Sequence, residues 1–256
     1  MQKMSLWLAS LFVALLLNRC TKKLESTPSL DLEELPTVSN SAASPSVVSC
    51  LITKLVQDYG GIKNPAYFTY DGYKNPVSIV FTHGGTGNPS WYFKYDAKHR
   101  LVRLDKKYPN GPLVETHKYG YNQYNAIGKD SAHYYEGGEI VIVSSFTYDQ
   151  KQRLNKESFK EIKNNGGPFE TFPTIYYNYD VNNNLVVNGW AASKYDHKVS
   201  PLRTHKLWQF LHRNYSVNSP AVQSSYNTNG LPTIYKIDND LFFNGGPTSE
   251  IQYLCK

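Results

Sequence analysis

A tyrosine directly before an aspartate or asparagine recurs along the chain, at Tyr70-Asp71, Tyr95-Asp96, Tyr121-Asn122, Tyr148-Asp149, Tyr179-Asp180, Tyr195-Asp196 and Tyr226-Asn227 among others. The carboxylates among them are the groups that glycoside hydrolysis uses in pairs, set roughly 5–10 Å apart across one cleft. The spacing argues for another role. The first five Asp or Asn positions lie 25, 26, 27 and 31 residues apart, and a near-fixed period marks a repeated structural unit. Acids that recur once per unit are spaced for a corner in each unit, not for each other. Asp and Asn suit corners because their side chains bond to backbone amides just downstream and tolerate unusual torsions. Asp71, Asp96, Asp149 and Asp180 are therefore read as structural, and no catalytic residue is assigned.

Other chemistry-bearing stretches are weaker still. Asp180-Val181-Asn182-Asn183-Asn184 begins like a calcium loop but lacks the glycine at position six and the glutamate at position twelve, so a plain turn is the better reading. The seven histidines form no HExxH and no array with CxxC, which leaves no zinc signature. His197 and His205 flank one irregular segment. His83-Gly84-Gly85-Thr86-Gly87 is glycine-rich but lacks the Gly-Lys-Ser/Thr of a phosphate loop, and no serine sits in a Gly-x-Ser-x-Gly elbow. No cofactor and no metal are expected. The aromatics hold the functional promise: 21 Tyr, 11 Phe and 4 Trp. Flat side chains stack the apolar faces of sugar rings, and Trp91, Tyr92, Trp190 and Trp208 are the candidate ligand-binding residues. The competing reading makes them core and strand-ladder residues.

The elements that must position these residues follow from the same period. Two residues before each of the first five tyrosines stands Phe68, Phe93, Tyr119, Phe146 or Tyr177, and positions i and i+2 share one face of a strand. Five residues after the Asp or Asn comes Leu101, Ile127, Leu154 or Leu185. The chain thus enters a corner as one strand and leaves as the next. Glycines mark the opposite turns at Gly84-Gly85, Gly111, Gly137-Gly138, Gly166-Gly167 and Gly245-Gly246, and two alternating kinds of turn produce successive antiparallel hairpins. Some 13 or 14 strands are expected by that turn spacing. The exception is 202–213, where Leu207, Phe210 and Leu211 fall at helical spacing after Pro201, with Trp208 beside them; a short helix there would plug an open end or face of the sheet.

The ends set the compartment. Leu6 to Leu17 is an apolar run of 12 residues behind Lys3, too short to span a bilayer but the length of a signal-peptide core. It ends in Leu17-Asn18-Arg19-Cys20, a lipobox-like layout in which Cys20 is the lipidation site, although Arg19 stands where a small residue is favoured. Residues 1–19 are read as a lipoprotein signal peptide. Residues 20–49, rich in Ser, Thr and Pro, are read as a disordered tether, and 50–256 as a single domain. Cys50 opens that domain and Cys255 closes it. In an oxidising compartment the two form a disulfide or remain as two free thiols. The formal charge of +6 falls to +4 once Lys3 and Arg19 leave with the signal, and it is spread along the chain, so nucleic acid is not an expected partner.

The aromatic-x-Tyr-Asp-x(4)-Leu unit resembles the YD repeat of RHS and teneurin-type shells, whose repeats are β-hairpins wound into large structures. The chain also resembles a group of Bacteroidota cell-envelope lipoproteins. That likeness rests on the lipobox-like start, on Cys50, on Tyr195-Asp196-His197-Lys198-Val199-Ser200-Pro201 before the Trp-Phe helix, on Tyr226-Asn227-Thr228-Asn229-Gly230-Leu231-Pro232, and on Tyr253-Leu254-Cys255. It implies an all-β envelope protein without an assigned catalytic residue. The expected fold is an all-β antiparallel meander of YD-type hairpins in a curved or rolled sheet. The expected function is a non-enzymatic module, anchored to the outer membrane by lipid, that binds a glycan or an envelope protein. Lys22-Lys23 after Cys20 favours the periplasmic face over the surface. The alternatives are a polysaccharide-acting hydrolase and a structural component of an envelope assembly.

Overall fold

At each corner an Asp or Asn side chain caps the turn that follows it. Asp96 Oδ1 accepts from the backbone N–H of Lys98 at 2.9 Å and of Arg100 at 3.0 Å. The Asp96 N–H donates to the Arg100 carbonyl, and the His99 N–H returns to the Asp96 carbonyl, both at 2.9 Å. The same four bonds close the corners at Asp71, Asn122, Asp149, Asp180 and Asn227. The residue three places after each is left-handed, with φ of 65° at Lys74, 56° at His99, 59° at Asn125 and Gln152, 62° at Asn183 and 74° at Gly230. A turn followed by one left-handed residue is the three-residue hairpin loop with a bulge, so these corners reverse the chain and advance it by one strand.

The computed structural model describes residues 49–83, 88–136, 140–164, 172–187, 190–191, 195–220, 223, 225–235 and 248–256. The signal segment, Cys20 and all of the tether but Ser49 lie outside them. Among the described residues there are fifteen strands: β1 (Cys50–Tyr59), β2 (Ile62–Tyr70), β3 (Pro76–Phe81), β4 (Ser90–Tyr95), β5 (Leu101–Lys107), β6 (Leu113–Tyr121), β7 (Ile127–Tyr134), β8 (Ile140–Tyr148), β9 (Leu154–Asn164), β10 (Ile175–Tyr179), β11 (Leu185–Val187), β12 (Trp190–Ala191), β13 (Tyr195–Val199), β14 (Asn218–Pro220) and β15 (Thr248–Cys255). β1 to β12 form an antiparallel meander in chain order, and β15 returns to pair with β1, which makes thirteen strands in one sheet. β13 and β14 pair separately. Among the described residues no strand pairing joins β12 to β15, so the hydrogen-bonded sheet is open and does not close into a barrel.

Alternation along the strands sends Phe68, Phe93, Tyr119, Phe146 and Tyr177 inward, each between 5% and 8% exposed. Leu101, Ile127, Leu154 and Leu185, the first residues beyond four corners, are buried beside them. The inner face is then filled by the expected helical segment, which consists of a 3-10 turn (Pro201–Thr204) and the helix α1 (Lys206–Leu211). Trp208 of α1 has no exposed surface. Its ring meets Phe68 at 5.7 Å and Phe93 at 5.9 Å, while Phe210 meets Tyr119 at 5.8 Å and Phe146 at 5.2 Å, all edge-to-face. One turn of helix therefore supplies two rings to four strands.

Cys50 and Cys255 are joined by a disulfide across the β1–β15 pair. Its place in the repeat is informative. At other corners the tyrosine pairs with the residue six further on, as in Tyr95 with Leu101 and Tyr121 with Ile127. Here Tyr253 pairs with Ile52. The covalent bond closes a corner where an Asp or Asn turn closes the others.

Candidate functional site

The corners are stitched to one another by their own tyrosines. Tyr95 Oη donates to the Pro76 carbonyl at 2.7 Å, Tyr121 to Leu101 at 3.0 Å, Tyr148 to Ile127 at 2.7 Å, Tyr179 to Leu154 at 3.0 Å and Tyr195 to Leu185 at 2.9 Å. Each acceptor is the first residue beyond the preceding corner. Tyr70 reaches Ile52, and Tyr253 reaches Pro232, both at 2.7 Å. Tyr226 departs from the rule: its hydroxyl goes to the Asp196 carboxylate. Burial raises the phenols, Tyr121 to about 12 and others higher, so they stay protonated donors. Side-chain packing of Val199 and Leu231 against Cys50 brings the last corners beside the first.

Arginines add a second stitch. Arg100 grips Asp96 Oδ2 through Nε at 2.8 Å and Nη2 at 2.7 Å, lies 4.6 Å over the Tyr121 ring, and donates to Asn125 at 3.1 Å. Arg153 repeats this with Asp149, the Tyr179 ring and Asn183. Backbone amides and these guanidinium groups outweigh the cost of desolvation and hold Asp149 below the usual carboxylate range. Asp96, where the amide of Arg100 contributes most, and Asp71 are held low as well. An acid of depressed pKa carries no proton at neutral pH, whereas a general acid needs the opposite shift.

Between the corners and the helical segment lies a cleft of about 540 Å³. Its floor includes Tyr95, Tyr121, Tyr148, Leu207 and Phe210, and its walls carry six cations: Lys98, Arg100, Lys151, Arg153, Arg203 and Lys206. No Asp or Glu is among the described residues that line it. Tyr124, 71% exposed, stands on the rim. His205 also lines the cleft; its Nδ1 accepts from the Leu207 N–H at 3.2 Å, and burial lowers it to about 4, so it is neutral at pH 7.

A second polar group lies inside the sheet. His117 bonds through Nδ1 to Asp130 at 2.8 Å and through Nε2 to Glu115, and Lys106 meets Glu115 at 2.9 Å. Burial opposes charge on His117, but the two carboxylates outweigh it and raise its pKa. Burial likewise works against the Glu115 charge, yet His117 and Lys106 bring that carboxyl down to about 2. Arg213 similarly holds Glu157 at 3.2 Å, and Tyr177 donates to the same carboxylate at 2.8 Å. Glu115 and Glu157 each face a basic side chain, the condition under which buried charge is tolerated, whereas Asp130 meets His117 through Oδ2 and its buried Oδ1 has no hydrogen-bond partner. Among the described residues no group of three His, Cys, Asp or Glu is arranged to hold a metal ion.

The sequence-derived aromatic candidates do not gather into one strip. Trp208 is the centre of the core, and Trp91, 8% exposed, is in the same core with Lys106 over its ring at 4.7 Å. Neither offers a face to solvent. Tyr92 is half-buried on the opposite face of β4, with Lys107 over its ring at 4.9 Å. Trp190 belongs to β12, and its side chain lies outside the described residues. The signal for Trp91 was present: it stands two residues before Phe93 and four before Tyr95, in phase with the inward face. The cleft cations were not legible, because Arg203 and Lys206 are brought to Lys98 and Lys151 only by the tertiary placement of the helix. No protein-family model matches the chain, and no curated protein matches it.

Proposed function

We propose that the chain is a non-enzymatic, lipid-anchored envelope module that binds a glycan in the cleft between the corners and the helical segment. The cleft carries the reading: it sets an aromatic and aliphatic floor under polar walls, on corners whose own backbone and acids are already engaged in turns. Concave sites that combine apolar and aromatic lining with convergent polar groups are where small ligands settle. The Cys50–Cys255 disulfide suits an oxidising compartment. Lipidation of Cys20 and the tether 20–49 would hold the domain at the outer membrane, on its periplasmic face. Among the described residues no helix is long and apolar enough to cross a membrane. The YD-type repeat and the likeness to Bacteroidota envelope lipoproteins support the same setting.

The test is isothermal titration of residues 45–256, the compact unit, with a panel of neutral and acidic oligosaccharides, alongside Tyr124→Ala and Lys206→Gln. Saturable binding weakened by both variants is expected, with no new reducing ends. Release of reducing ends would favour the polysaccharide hydrolase instead. A stable protein partner co-purifying after detergent extraction, with no glycan bound, would favour the envelope-assembly role.

A further inference from the structure

The cleft is charged in a one-sided way that the fold does not account for. Of its six cations, Arg100 and Arg153 are matched by Asp96 and Asp149. Lys98, Lys151, Arg203 and Lys206 make no ion pair with any described residue. Lys98, Lys151 and Lys206 are exposed, and Lys151 also donates to Asn183 Oδ1 at 2.7 Å. Arg203 differs. Its Nη1 is buried and has no hydrogen-bond partner, and burial alone pulls the guanidinium below its ordinary pKa. Buried polar atoms in native proteins are nearly always bonded, and the half-buried Arg203 meets no counter-charge among the described residues. A guanidinium fork matches a carboxylate bidentately.

We infer that the cleft binds an anionic saccharide, a uronate-bearing oligosaccharide, whose carboxylate pairs with Arg203 while Lys98, Lys151 and Lys206 set the polarity of the walls. The inference rests on the proposed glycan-binding reading and names its ligand class. A sugar fits better than an acidic peptide for two reasons. The cleft is lined by the rings of Tyr95, Tyr121, Tyr124 and Tyr148, of which Tyr124 is exposed, and such rings suit the C–H faces of pyranoses. The corner backbone, in contrast, has engaged most of its N–H groups within the turns, so an extended peptide finds no regular ladder to pair with at the corners.

The experiment titrates residues 45–256 with a short oligouronate, its methyl ester, and a poly-glutamate peptide of similar charge. Wild type is compared with Lys98→Gln, Lys206→Gln and Arg203→Gln. The oligouronate should bind, and the ester should bind about 10- to 100-fold more weakly, the range for loss of a charge-assisted hydrogen bond. Each variant should weaken the oligouronate, and added salt should do the same. The exposed lysine variants keep the test sound if Arg203→Gln folds poorly. Equal affinity for acid and ester, still weakened by Tyr124→Ala, would overturn the anionic assignment and leave the glycan cleft standing. Binding untouched by every cleft variant would overturn both. Poly-glutamate binding as tightly as the oligouronate would overturn the saccharide.

Discussion

An aspartate at a corner can be asked directly what it does. Asp149 accepts two backbone amides and one guanidinium, so Asp149→Ala should lower stability by about 1–3 kcal/mol. Asp149→Asn should recover most of that loss, because Asn122 and Asn227 perform the same capping; the urea midpoints of the three proteins check this. Titratable residues predict a pH profile. His205 and His212 are lowered by burial to about 4 and about 3 from 6.5. The unfolded chain therefore takes up protons first, and their contribution is complete above pH 6.5 and lost as pH falls toward 4 and 3. Glu115, lowered to about 2 from 4.5, loses its contribution between those values. His117 has the opposite sign: its pKa is raised, so its contribution is present below pH 6.5 and fades as pH rises through its folded pKa. The urea midpoint should fall on acidification from pH 6.5. The slope per ring is below about 1.4 kcal/mol per pH unit, because solvent still reaches both histidines. His212→Gln should flatten that limb, and an unchanged slope would remove His212 from the account. Corner roles were legible in the sequence because a capped turn is local: Asp96, Arg100 and Leu101 lie within six residues. The left-handed residue was only partly legible: Asn125, Asn183, Gly230 and His99 are types that favour it, whereas Lys74 and Gln152 carry no such preference and are held there by the bonds around them.

Strands announce themselves by alternation, and here the aromatic at i and tyrosine at i+2 fixed the inward face of β2, β4, β6, β8 and β10. The strands that escaped a clear reading are the shortest, β11, β12 and β14, of two or three residues each. Their pairing is set by neighbours in space. The helical segment was readable from Leu207, Phe210 and Leu211, but its site of docking was not, since rings from β2, β4, β6 and β8 meet it across long sequence separations. Its energetic weight should be large. Trp208→Ala empties the space between Phe68 and Phe93 and should cost about 3–5 kcal/mol, measured by chemical denaturation. The same variant should also displace Arg203 and Lys206, so ligand binding and stability should fall together. Lys206→Gln should change binding alone.

For the domain as a unit, the repeat supplies hairpins and the tyrosine tethers align their corners, but the chain ends need a separate device. The disulfide occupies that place, with Tyr253 and Ile52 paired beside it. Cys50→Ser with Cys255→Ser should lower stability by about 2–5 kcal/mol, and it should loosen β15 before the central strands in hydrogen exchange. The glycan reading of the aromatics was legible only as a composition; which rings face solvent depended on phase for Trp91 and on docking for Trp208, and the cleft itself exists only once corners and helix meet. The most direct test of that cleft is a ¹H–¹⁵N NMR titration of residues 45–256 with the short oligouronate, recorded until the sugar is saturating. The account predicts shifts confined to the corners at Asp96, Asn122 and Asp149 and to Arg203–Gln209, with the oligosaccharide recovered intact. Shifts clustered on the outer face around Tyr92, or at the opposite turns near Gly111, or a shortened sugar in the tube, would contradict it.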